Sequence, residues 1–140
     1  MTNFKIIATL ALFLCVTPTV SNAACWYDCA VKVRDNASGK EQTGKIRYTD
    51  AFGAGSFKAE PAIKLGSEEF DVEMGQDSHT KDNPGQRGVI AMATRVKDDK
   101  SLFTSFYTDH PETIPAKFRM EAAGGEFSVT YECSCGIEIK

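Results

Sequence analysis

Two short cysteine patterns are the part of this chain that could do chemistry. Cys133-Ser134-Cys135 lies near one end, and Cys25 and Cys29 lie near the other. As thiolates, so close a pair could exchange disulfides or bind a soft metal, with Cys25 and Cys29 completing the ligand set. As disulfides, the same residues would only hold strands together. A redox thiol needs a pKa lowered by a helix N-terminus or by nearby cations. Here Glu132 and Glu138 stand close by instead. Metal sites more often use C-x-x-C, where a turn aims both sulfurs inward. The structural reading is therefore favoured, and a thiol-redox or metal-binding protein built on Cys133-Ser134-Cys135 is the alternative.

Strand geometry sorts the possible bonds. Phe127, Val129, Tyr131, Cys133 and Cys135 alternate with polar residues, so they share one face of an extended strand. Cys25, Tyr27, Cys29, Val31 and Val33 do the same. In a strand, Cys25 and Cys29 are about 13 Å apart, too far for a disulfide. Cys133 and Cys135 are about 6.7 Å apart with parallel rather than converging Cβ vectors. The bonds must then cross between strands. In antiparallel pairing the partner numbers have a constant sum. Cys29 with Cys133 gives 162 and Cys25 with Cys135 gives 160, while the crossed pairing gives 164 and 158. The nested pattern is expected, with a bulge or a frayed first turn absorbing the mismatch.

Other reactive residues are sparse. His79 and His110 both lie in acidic loops and could form a metal or acid/base site, or stand solvated. Glu68-Glu69 and Asp98-Asp99 are adjacent pairs, which face opposite ways on a strand and are solvated in a turn. No nucleophile elbow or Gly-rich phosphate cradle is present. Nothing here argues for catalysis, a cofactor or a metal. Trp26, on the face opposite Cys25, Tyr27 and Cys29, either anchors a partner or packs against a neighbouring loop. Asn36-Ala37-Ser38 fits the N-glycosylation pattern in an expected exposed turn.

The elements that must position these residues read as strands throughout. The expected spans are 25–34, 45–49, 56–64 with Pro61 at an edge or bulge, 69–74, 89–96, 102–108, 116–122 and 126–135. Ile137 and Ile139 could extend the last. Gly, Pro, Asp and Asn clusters separate them. Residues 115–123 also carry a helix-like Pro and Gly frame, and 90–96 is rich in Ala and Met, yet alternation and the following Gly124-Gly125 suit hairpins. The fold class is all-β: one antiparallel β-sandwich or small barrel of about seven to nine strands, its terminal strands paired and stapled.

Residues 1–23 read as a secretory signal peptide: Lys5, an apolar run over 6–16, then Ser21-Asn22-Ala23 before the cut. Cys15 would leave with it. Asn22 disfavours lipid attachment at Cys25. The remainder, residues 24–140, is expected to form one domain with four cysteines in an oxidising, secreted or periplasmic setting. With Lys5 gone, 15 Lys+Arg face 19 Asp+Glu, a net charge of −4. That gives no reason to bind nucleic acid, and no later segment is long enough to span a membrane.

A small exported scaffold without a catalytic motif is expected to act by binding another exported protein, as inhibitors, immunity proteins and accessory domains do. The contact segment expected is the polar loop 75–88, with Asp77, His79, Lys81, Asp82 and Arg87 as candidate contacts and Trp26 as runner-up. With no apolar side chain except Pro84, and with Gly85 and Gly88 adding backbone freedom, that loop is expected to be mobile until bound.

Overall fold

Alternating burial, not local propensity, organises the chain. The computed structural model describes residues 25–49, 55–77, 87–108 and 115–138. It is all-β, with nine strands among those residues: β1 (Cys25–Asp35), β2 (Glu41–Thr49), β3 (Ser56–Lys58), β4 (Ile63–Leu65), β5 (Glu68–Asp77), β6 (Arg87–Arg95), β7 (Lys100–Thr108), β8 (Lys117–Ala123) and β9 (Phe127–Glu138). Every pairing is antiparallel. A four-stranded sheet A runs β2-β1-β9-β8, and a second sheet B runs β3-β5-β6-β7 with β4 also on β5. The sheets approach each other along both edges, β7 beside β8 and β2 beside β3 and β4. The result is a sandwich flattened from a barrel.

The inner faces carry the core. Tyr27, Cys29, Val31 and Val33 of β1 face Phe127, Val129, Tyr131 and Cys133 of β9 on the same buried surface. Phe70, Val72 and Met74 of β5 and Val89, Ala91 and Ala93 of β6 close it from sheet B. Aromatic rings join the layers: Phe106 stacks on Phe118 at 5.5 Å, and Phe70 meets Phe127 edge-on at 5.0 Å. Close approach of β4 to β2 requires a glycine. A Cβ on Gly44 would fall 2.5 Å from Cγ1 of Ile63.

The terminal strands pair as expected and carry both expected bonds, Cys25–Cys135 and Cys29–Cys133. The register differs in one respect. Cys29 stands directly opposite Cys133, with Cα atoms 4.0 Å apart, but the direct partner of Cys135 is Tyr27. A shift between Trp26 and Tyr27 carries the pairing sum up to 163, with Cys25 opposite Glu138, rather than down to 160. Cys25 therefore reaches Cys135 diagonally, over a Cα distance of 5.5 Å. The extra residue on β9 is Gly136, where a Cβ would fall 2.5 Å from Oδ2 of Asp28.

Strand boundaries differ where pairing overrides pattern. β2 begins at Glu41 rather than residue 45, because Glu41, Gln42, Thr43 and Gly44 complete the ladder to Arg34, Val33, Lys32 and Val31. The expected strand 56–64 is two short strands, divided around Pro61, which follows a cis peptide bond and has no N–H to donate. β5 and β6 extend to Asp77 and from Arg87, into what sequence reading assigned to the loop. β9 does continue past Gly136, to Glu138, and 117–123 is strand rather than helix.

Candidate functional site

Two outward faces offer different chemistry. On sheet B, the β6–β7 ladder places Gly88 opposite Tyr107, Ile90 opposite Ser105, Met92 opposite Phe103 and Thr94 opposite Ser101. The intervening Val89, Ala91 and Ala93 are buried, so these residues point away from the core. Phe103 is 66% exposed and Tyr107 49% exposed, and Ile90 and Met92 are half-buried between them. Tyr107 lies opposite Gly88, which carries no side chain. A 2.8 Å hydrogen bond between the hydroxyls of Thr94 and Ser101 closes the other end of the patch. On its β5 side, Glu73 lies opposite Met92 and Asp71 opposite Thr94. The face is thus an apolar strip with a charged border, in which Lys58 of β3 lies opposite Glu73.

On sheet A the outward face is polar. It forms an open trough of about 1540 Å³ across all four strands, with β3 at its rim. Ala30 and Ser134 are among its lining residues. Arg47 pairs with Asp28 at 3.9 Å, and Arg119 with Glu132 at 3.7 Å. Lys45, Lys58 and Lys117 have no ion-pair partner among the described residues.

Trp26 is engaged within the fold. Its ring meets Phe57 edge-on at 5.8 Å, and the Arg47 guanidinium lies over it at 5.6 Å, so it is half-buried against β3 and β2. Asp77 and Arg87 are the strand ends of the β5–β6 hairpin, while His79, Lys81 and Asp82 lie outside the described residues, as do His110 and the segment 1–23. Asn36 lies in the expected turn, and its side chain is a staple: Nδ2 donates to the Gly124 carbonyl at 2.7 Å, and Oδ1 accepts from Ser128 at 3.2 Å. A glycan on Nδ2 would compete with that bond. The sulfurs of Cys133 and Cys135 are both committed to disulfides, so neither presents a thiolate in this state. Among the described residues, no group of three or more His, Cys, Asp or Glu is arranged to hold a metal.

Arg95 was not anticipated. It continues the inward row after Val89, Ala91 and Ala93 and is only 6% exposed. Its guanidinium grips Asp98 in a two-pronged contact, at 3.0 and 2.6 Å, and also binds Glu126. It lies over the Phe127 ring at 5.4 Å. The Arg95 hydrogen bond pushes the Asp98 carboxyl down to about 2, and Lys100 followed by Arg95 lowers Glu126. Since Glu126 leads into β9, this cluster ties sheet B to sheet A at the end opposite the disulfides. Every charge in it is met by another, which marks it as a tie rather than a reactive centre.

No helix among the described residues is long and apolar enough to cross a membrane. Comparison of the chain with protein families, with curated proteins and with solved structures finds no match.

Proposed function

We propose that the protein is an exported, disulfide-stapled, non-catalytic binding module that engages another exported protein through the outer face of sheet B. The observation that carries this reading is the exposure of Phe103 and Tyr107 beside Met92 and Ile90 on one rigid ladder. Contiguous exposed apolar patches with a polar border mark interaction surfaces, and aromatic residues dominate binding energy there. The two intramolecular disulfides fit an oxidising compartment. The partner is expected to present an apolar surface with a Lys or Arg placed to meet Asp71.

A photo-crosslinking residue at position 103, with one at position 32 on sheet A as control, tests this in the native compartment. A single protein species should cross-link from 103 and not from 32. Phe103→Ser/Tyr107→Ser should abolish that capture, with circular dichroism confirming that the sheets are retained. No cross-linked species from 103, or an equal yield from 32, would remove the assignment.

A further inference from the structure

The trough on sheet A is a second, chemically distinct site. Lys45, Arg47, Lys58, Lys117 and Arg119 line it, against Asp28, Glu60 and Glu132. Five cations and three carboxylates make +2, on a chain whose formal net charge is −3, which leaves −5 for everything else. Strand order therefore gathers a small excess of cations on one open face of an acidic molecule. Three of those cations have no ion-pair partner among the described residues, so they meet a ligand without first breaking a bridge.

We propose that this trough binds an acidic polysaccharide. Its volume exceeds that of typical small-molecule pockets, about 300–1,000 Å³, and it is open, which suits a segment of an extended chain. It crosses four strands, roughly 14 Å at the usual strand spacing, so Arg47 and Lys117 can contact successive anionic groups. Its lining offers charge and hydroxyls but no exposed aromatic ring: of its two aromatics, Phe57 is half-buried and Phe118 is buried. Single-stranded nucleic acid is held by aromatic stacking and duplex DNA by a broadly basic domain, and neither is present. A protein partner would need apolar anchors, which lie instead on sheet B. The carbohydrate site is independent of the apolar face, and each stands or falls alone.

The test is retention of the disulfide-intact protein on immobilised heparin, which is sulfated, and on polygalacturonate, which is carboxylated, with dextran and duplex DNA as controls. Retention on at least one of the two polyanions is expected, and which one identifies the anionic group. With three to five contacts, affinity should fall about 20-fold or more between 50 and 200 mM salt. Lys45→Glu/Lys117→Glu should abolish retention, and Lys45→Gln/Lys117→Gln should weaken it. Lys40→Glu/Lys64→Glu, the same charge change outside the trough, should leave retention in place. Circular dichroism of each variant checks folding. No retention on either polyanion, equal retention on dextran or DNA, or equal loss in the two Glu variants would overturn the assignment.

Discussion

Removing one disulfide should cost far less than removing the second. The bonds are nested, closing 110 and 104 residues. In the chain-entropy view, the first bond to form closes a loop of more than 100 residues and is worth about 4.7 kcal/mol. Once it is closed, the other only joins points separated by the difference, six residues, worth about 2 kcal/mol. Cys25→Ala/Cys135→Ala is the cleaner perturbation, because those side chains are half-buried, whereas Cys29 and Cys133 are buried and would leave a cavity. Guanidinium unfolding of the wild type, each single-bond protein and the bond-free protein gives the three differences. The expected order is a loss of about 2 kcal/mol for Cys25–Cys135, then roughly twice that for the remaining bond. The total approaches the whole stability of a small domain, so the bond-free chain should be marginal. Equal losses at the two steps, or a larger loss at the first, would refute the nested-loop reasoning and point to local packing at the bonds.

Four further outcomes are expected. Stability should be full above the ordinary carboxyl values of 3.8 and 4.5 and should fall as pH drops toward 2, because Arg95 and Lys100 depress Asp98 and Glu126 in the folded state only. Thermal melts across that range should show a shallower slope for Asp98→Asn. Gly44→Ala should destabilise by about 1–3 kcal/mol in urea, with part of the loss recovered in Ile63→Ala, since the added methyl collides with that side chain. The Tyr131 hydroxyl is fully buried with no hydrogen-bond partner among the described residues, so Tyr131→Phe should be neutral or stabilising by about 1 kcal/mol. A loss greater than that would show that the hydroxyl has a partner. Asn36→Ala should lower the melting temperature by loosening the two turns it joins, while Ala37→Gly in the same turn should change it less.

The terminal strands were legible because alternation there is strict and cysteines fall in phase with it, so register and bonding could be worked from residue numbers. The apolar face is written in the sequence as unbroken apolar runs rather than as alternation. Val89-Ile90-Ala91-Met92 is apolar without interruption, and Leu102-Phe103 and Phe106-Tyr107 are adjacent apolar pairs. Neighbours on a strand face opposite ways, so one of each pair must point outward. Arg95 could have been found similarly, as a cation in phase with Val89, Ala91 and Ala93. Its carboxylate at Asp98 is local, but Glu126 comes from another sheet and no pattern names it. The trough was not legible at all. Charges alternate in sign along each strand, and where a small excess of cations gathers depends on which strands lie side by side.

The placement of the chain ends has a consequence for the order of assembly. Sheet B is built from one continuous stretch, β3 through β7, with each strand hydrogen-bonded to one near it in sequence. Sheet A is built from the two extremities, and β1 has β2 on one side but must wait for β9 on the other. As the chain is made, sheet B can take shape early. Until residues 127–138 are available, β1 has one unpaired edge and neither disulfide can form. The twelve residues of β9 therefore act as a latch. Without them, a formed sheet B would sit beside an open, aggregation-prone edge, so docking of β9 gates closure of sheet A.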